Sequence, residues 1–222
     1  MVKRVGFLIN PIAGMGGRVG LKGTDGVLEE AVALGAEPVA PERAREALAS
    51  FANTAAFRQV HWLTSGPPMG SEELTDLFGD NLRHEVLHRP PESTTARDTR
   101  EAAHALEEGG IDILLFCGGD GTARDLLDVL DARVPILGIP AGVKMHSAVF
   151  AVNPVSAGQI LSRFLLGELP LGQAEVLDLD EDKYRAGEWS IRLYGLAQTP
   201  QEPNLVQMGK LLVTAVAEDV IL

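Results

Sequence analysis

Short apolar runs recur along the chain and predict the strands of a buried sheet. They are separated by more polar stretches of helical character. Continuous apolar strands, unlike alternating ones, are typical of parallel sheets that are covered on both faces. The predicted strands are Val5–Ile9, Gln59–Leu63, His84–Leu87, Ile111–Phe116 and Ile136–Ile139.

Three of the intervening segments carry both a helix-capping residue at their start and a glycine at their end. They begin at Thr24 or Asp25, at the capping-box pair Thr95 and Asp98, and at Asn153-Pro154, and they end at Gly35, Gly109 and Gly167. Strand and helix therefore alternate. This order predicts an α/β fold with a mainly parallel, doubly wound sheet.

The pattern changes near residue 168. Trp189–Tyr194 alternates between apolar and polar residues, and Ala174–Leu179 can pair with it as a hairpin through a turn around Ala186-Gly187. We therefore predict an α/β domain over residues 1–168 and a β-rich segment over residues 169–222. A unit of about fifty residues is small for an independent core. We expect it to be an incomplete C-terminal domain that packs against the first domain or against another chain. The second option favours a homo-oligomer.

The charge of the chain limits what it binds. A net charge of −12 argues against non-specific binding to nucleic acid or to an anionic membrane. No apolar run approaches the roughly 20 residues that cross a bilayer, and the single cysteine fits a reducing compartment. We expect a cytoplasmic protein that holds phosphates locally, with backbone amides, a few basic side chains and a divalent cation.

The strongest candidate for a site follows the strand Ile111–Phe116. After Cys117, the string Gly118-Gly119-Asp120-Gly121-Thr122 leads into a helical pattern. The glycines let the backbone turn sharply and approach a ligand. Thr122 and Asp125 have capping-box spacing, which predicts that the helix begins at Thr122. The free amides of that helix end, at the carboxyl edge of the sheet, are suited to bind an anion.

Asp120 is the unusual residue of this turn, because a carboxylate beside a phosphate site repels the phosphate. It could accept a proton from an attacking hydroxyl, or hold a Mg²⁺ ion that screens the phosphates. The alternative is a structural turn in which Asp is favoured for its local hydrogen bonds. Because a buried strand precedes the motif and a capped helix follows it, we favour the functional interpretation.

Two more loops are predicted at the same edge. The loop after the first strand has five glycines between residues 14 and 23, and Arg18 and Lys22 could reach a phosphate from it. A plain mobile connection is the alternative. After the last strand of the domain, Lys144 could contact a phosphate, while His146 or Ser147 could hydrogen-bond a substrate. Alternatively, Ser147 caps a short helix and the other two side chains are solvated.

Together these strings resemble the NAD kinase superfamily, which also includes diacylglycerol-type lipid kinases and phosphofructokinases. The resemblance rests on GGDGT after a buried strand and on Asn10-Pro11 with a glycine-rich loop after the first strand. The segments 12–26 and 139–147 look like one branch of it, usually described as ATP- or polyphosphate-dependent NAD kinase-like proteins.

The resemblance implies a phosphofructokinase-like α/β fold and phosphorylation of the adenosine ribose 2′-hydroxyl of NAD, which gives NADP. ATP or polyphosphate would be the phosphoryl donor and Mg²⁺ the helper ion. Asp120 would act as the base or as the organiser of the metal. The residues that the resemblance assigns to nucleotide and phosphate binding are Asn10, Gly14, Gly118, Gly119, Gly121 and Thr122.

One departure leaves the acceptor open. Better-characterised NAD kinases carry an Asn-Glu pair downstream of GGDG that holds the dinucleotide, and this chain contains no Asn-Glu dipeptide. The alternatives are a kinase for another hydroxyl, such as that of a lipid or a sugar, and a non-catalytic module that binds nucleotides.

Overall fold

The computed structural model describes most of the chain as one strand–helix alternation followed by a hairpin. The described residues are 2–18, 33–79, 82, 84–130, 133–142, 145–180, 183, 187–188, 190–202 and 204–207. The first five strands are β1 (Lys3–Ile9), β2 (Val60–Ser65), β3 (His84–His88), β4 (Ile113–Gly118) and β5 (Ile136–Pro140). They confirm the five predicted strands to within a few residues.

These strands form one sheet in the order β3–β2–β1–β4–β5, and every neighbouring pair is parallel. The chain order reverses between β1 and β4, which lie side by side in the middle of the sheet. Open parallel sheets bind ligands at such a switch point, outside the carboxyl ends of the strands.

Helices cover both faces of the sheet. Val5, Phe7 and Ile9 of β1 belong to one apolar cluster, and Leu8 belongs to the other, as the two-residue period of a strand requires. The predicted doubly wound α/β fold is thereby confirmed. The helices are α1 (Met15–Arg18), α2 (Ala40–Ala52), α3 (Ser71–Phe78), α4 (Ala96–Glu108), α5 (Asp120–Leu130) and α6 (Pro154–Leu165).

The helix ends agree with the sequence only in part. The capping box of Thr95 and Asp98 is present at the start of α4, and Asn153 caps α6 by accepting a 2.8 Å hydrogen bond from the amide of Ser156. Helices α2 and α3 were not predicted, and the short α1 forms where a loop was expected. The helix predicted from Thr24 or Asp25 falls largely on residues 19–32, which lie outside the described residues.

An antiparallel hairpin follows α6 and consists of β6 (Leu171–Leu179) and β7 (Ile191–Pro200). The predicted hairpin is confirmed, with longer strands than expected and a bulge between Val176 and Leu177. Buried Val176 joins the apolar cluster on the α4–α5 side of the sheet, so the hairpin packs on the α/β core. The domain boundary near residue 168 stays a prediction. In the part of the chain that is described, no helix is both long and apolar enough to cross a bilayer.

Candidate functional site

The loops after β1 and β4 meet at the switch point of the sheet. The backbone N–H of Asn10 donates to the carbonyl of Cys117 at 2.9 Å, which continues the β1–β4 pairing. The side-chain amide of Asn10 then donates to the hydroxyl of Thr122 at 3.0 Å, and its oxygen accepts from the amide of Ile12 at 3.3 Å. Asn10 therefore ties its own loop to the GGDGT turn.

The GGDGT turn is compact because its glycines leave room for their neighbours. A Cβ atom on Gly118 would lie 2.6 Å from the side chain of Thr122, whereas one on Gly119 would meet nothing within 4 Å. The N–H of Gly119 donates a 3.4 Å hydrogen bond to the Thr122 hydroxyl. The side of Gly119 on which a Cβ would lie is empty, so a ligand can approach the backbone there. Gly121 follows in the first turn of α5.

The predicted start of α5 was wrong by two residues. The helix begins at Asp120 instead of Thr122, so Thr122 lies inside the first turn. The Thr122 hydroxyl is hydrogen-bonded to Asn10, and Asp125 forms an ion pair with Arg100 on α4. These partners, distant in sequence, replace the local capping box that the spacing suggested.

The carboxylate of Asp120 is held by the loop after β5. Its Oδ2 accepts from the backbone N–H of His146 and its Oδ1 from that of Ser147, both at 2.9 Å. Only 9% of the residue is exposed. Burial raises the pKa of the Asp120 carboxyl above its ordinary value, and the hydrogen bonds from Ser147 and His146 act in the opposite direction. A carboxylate with a raised pKa is a better proton acceptor than an exposed one.

The side chains of His146 and Ser147 have different surroundings. The Ser147 hydroxyl is fully buried and bonds both backbone groups of Leu177. It is therefore engaged with β6, whereas a substrate contact or a helix cap was expected. The Nδ1 atom of His146 is buried and has no hydrogen-bond partner among the described residues. Because buried polar atoms are usually paired, this nitrogen is suited to a ligand group.

The remaining predicted contacts come from the first loop and from the segment after β5. Gly14 has φ +81° and packs so closely that an added Cβ would lie 2.2 Å from the carbonyl oxygen of Ala141. The predicted phosphate contacts Lys22 and Lys144 lie outside the described residues, as does the side chain of Arg18. Their roles stay predictions.

An open cleft of about 400 Å³ lies beside this site, on the β1–β2–β3 side of the same edge. Small-molecule pockets commonly have volumes of about 300–1,000 Å³. This cleft was not predicted from the sequence, although proline and hydroxyl residues just beyond the ends of β1, β2 and β3 are the signal that marks it. It is lined by Pro11, Ile12, Pro38, Pro68, Glu92, Ser93 and Thr94.

A cluster of metal-binding side chains and the Cys117 thiol are held by structural contacts away from the GGDGT turn or within the core. The metal-binding atoms of His88, Asp98 and Glu101 lie within 4.8 Å of one another. However, Asp98 serves the capping box and Glu101 bonds Arg97 at 2.7 Å, so both carboxylates already have partners. Burial raises the pKa of the Cys117 thiol, which donates to the carbonyl of Ala40, and this thiol is therefore unreactive.

Comparison with known proteins gives a family for this fold and site. The family model described as the ATP-NAD kinase N-terminal domain matches residues 5–169. The matched segment covers the five-stranded sheet, except for the first two residues of β1, and the GGDGT turn, and it ends before the hairpin. No curated protein and no solved structure matches the chain.

Proposed function

The chain belongs to the NAD kinase family, and from that premise we propose that it phosphorylates the 2′-hydroxyl of NAD to give NADP. ATP or polyphosphate is the phosphoryl donor, and Mg²⁺ is the helper ion. The observation that carries the proposal is the position of Asp120. Its buried carboxylate lies at the first residue of α5, beside the switch point of a parallel sheet.

The chemistry needs a proton acceptor and a place for phosphate. A new bond forms between the hydroxyl oxygen and the phosphorus, the bond to the leaving phosphate oxygen breaks, and the hydroxyl proton must go to a base. Asp120 accepts this proton, since its raised pKa lowers the cost of binding it. The amides at the start of α5 and the open backbone of Gly119 bind the phosphate.

Asp120 also fits the usual way in which proteins hold Mg²⁺. This ion is commonly bound by one or two carboxylates together with substrate phosphates and water. Each oxygen of Asp120 accepts one backbone N–H and keeps a lone pair for a further ligand. As the alternative to its role as proton acceptor, Asp120 would hold the ion, whose contribution is to screen the negative charge of the donor.

The test of the proposal is NADP formation by the purified chain. We expect NADP from NAD and Mg²⁺ with ATP or polyphosphate, measured by chromatography of the products. The 2′-deoxyadenosine analogue of NAD is the matched control, because it lacks the acceptor hydroxyl and should stay unmodified. Failure to form NADP with either donor, or phosphorylation of the deoxy analogue, would contradict the proposal.

A second candidate is a module that binds nucleotides without turnover. It is favoured by the engagement of both Asp120 oxygens with backbone amides. This candidate predicts that ATP or NAD raises the thermal unfolding temperature while no product forms. Parallel measurements of unfolding temperature and NADP distinguish it from the kinase.

We further propose that the α/β domain ends near residue 168. We also propose that the chain self-associates through the hairpin that follows. Three hairpin leucines, Leu171, Leu193 and Leu196, expose 40%, 45% and 43% of their surface. Several exposed apolar side chains on one small element can form an association surface. Light scattering after size-exclusion chromatography should give a homo-oligomer that becomes monomeric when the three leucines are replaced by serine. A monomeric wild-type protein would contradict this.

A further inference from the structure

Ser147 connects the hairpin to the carboxylate of Asp120. Its backbone N–H donates to Asp120 Oδ1 at 2.9 Å. Its hydroxyl donates to the carbonyl of Leu177 at 2.8 Å and accepts from the N–H of the same residue at 3.0 Å. One fully buried residue thus contacts both the candidate catalytic acid and β6.

The contact with β6 resembles the pairing of two strands. Glu175 and Leu177 are two positions apart, so their backbone groups face the same edge of the strand. The N–H of Ala148 donates to the carbonyl of Glu175 at 2.8 Å, next to the bonds of the Ser147 hydroxyl. Residues 147 and 148 therefore occupy the edge of β6 that faces away from β7.

The bulge in the hairpin lies at this contact. Val176 pairs with Gly195 but Leu177 pairs with Leu193, so Tyr194 is the extra residue on β7. Bulges redirect strands and are common next to active sites. At this point the Ser147 hydroxyl bonds both the carbonyl and the N–H of Leu177.

We infer that Ser147 is a positioning residue, which fixes the Asp120 carboxylate relative to the hairpin. The inference rests on the proposed kinase function. A shift of β6 would move the hydroxyl of Ser147, and with it the N–H that holds Asp120. The hairpin lies beyond the matched family segment, which ends at residue 169. The acid of the α/β domain therefore depends on structure that follows that domain.

The first test compares Ser147→Ala with Thr64→Val, which also removes a fully buried hydroxyl that bonds a backbone carbonyl. The hairpin should stay attached in Ser147→Ala, because Arg124 on α5 still pairs with Asp178 on β6 at 3.0 Å. We expect kcat to fall at least about tenfold while KM for NAD changes less than about twofold. Thr64→Val should change neither. Equal losses of kcat in the two variants would overturn the inference.

The second test does not need turnover. Hydrogen exchange of the His146 and Ser147 amides, measured by NMR on the unliganded protein, should be faster in Ser147→Ala and unchanged in Thr64→Val. Unchanged exchange at both amides in Ser147→Ala would overturn the inference. If wild type forms no NADP, the proposed function fails. This exchange experiment still tests whether Ser147 fixes the amides that hold Asp120. If Ser147→Ala does not fold, Ser147→Cys should show the same pattern more weakly, because a thiol is a weaker hydrogen-bonding group.

Discussion

The side-chain amide of Asn10 donates a 3.0 Å hydrogen bond to the hydroxyl of Thr122, 112 positions later in the chain. This bond joins the loops after β1 and β4 at the point where the strand order of the sheet reverses. Asn10 and the GGDGT turn are therefore one structural unit, and the loop after β5 adds the amides that hold Asp120.

The bond between Asn10 and Thr122 predicts coupled effects on stability. Asn10→Ala and Thr122→Val should each lower the free energy of unfolding in urea. The double variant should lose less than the sum of the two, by about 0.5–1.5 kcal/mol, because the shared bond can be lost only once. As a control, Asn53→Ala removes a hydrogen bond to Ala49 far from this site and should be additive with Thr122→Val. Additivity of Asn10→Ala with Thr122→Val would show that the bond contributes nothing.

Gly14 should tolerate no side chain. Its φ of +81° costs an L-residue about 1–2 kcal/mol, and an added Cβ would also lie 2.2 Å from a backbone oxygen of Ala141. Gly35 is a matched control, with φ +82° and nothing within 4 Å of an added Cβ. Gly14→Ala should therefore lower the free energy of unfolding clearly more than Gly35→Ala. Equal losses would mean that the contact with Ala141 relaxes freely.

Glu73 predicts a pH dependence of stability. It is 2% exposed, and its Oε2 atom has no hydrogen-bond partner among the described residues. Burial raises the pKa of Glu73 from 4.5 to about 7, although Arg45 acts in the opposite direction. Well below pH 4.5 the group is neutral in both states. As the pH rises from there to about 7, the carboxyl ionises in the unfolded state but stays largely protonated in the folded state. The free energy of unfolding therefore falls by up to about 3 kcal/mol.

The variant Glu73→Gln should remove this loss. Its free energy of unfolding should match that of wild type at about pH 3.5 and exceed it at pH 8, as measured by urea denaturation at both values. Glu72→Gln, an exposed neighbour on the same helix, should show no such difference. A constant difference between Glu73→Gln and wild type across this range would contradict a raised pKa.

The sheet could be predicted from the sequence, but helices α2 and α3 could not. Each parallel strand is a short apolar run, and such runs are visible without a structure. Helix α2 has Val39 at its N-cap with no side-chain hydrogen bond, and α3 starts after Gly70 at φ 144°. Neither helix has the Ser, Thr, Asp or Asn cap that identified α4 and α6. Their stability comes from tertiary packing, which cannot be predicted from the local sequence pattern.

The sequence predicts where the candidate site lies, but not its hydrogen bonds. The motif and the strand order bring Asp120, His146 and Ser147 to one edge of the sheet. The bonds to Asp120 come from backbone amides, which every residue type except proline carries, so the sequence does not single them out. The Ser147 hydroxyl also bonds backbone groups, those of Leu177. They lie at a bulge that no local sequence pattern predicts.

The central claim is that Asp120 takes the proton of the acceptor hydroxyl, and one comparison tests it most directly. Asp120→Asn keeps the size of the side chain but removes the base, and Asp128→Asn is an exposed control on the same helix. NADP formation should be measured at saturating NAD, with thermal unfolding as the check on folding. We predict that Asp120→Asn folds and loses about 10²–10⁴-fold in kcat, whereas Asp128→Asn keeps wild-type turnover. Wild-type turnover in folded Asp120→Asn would contradict the account.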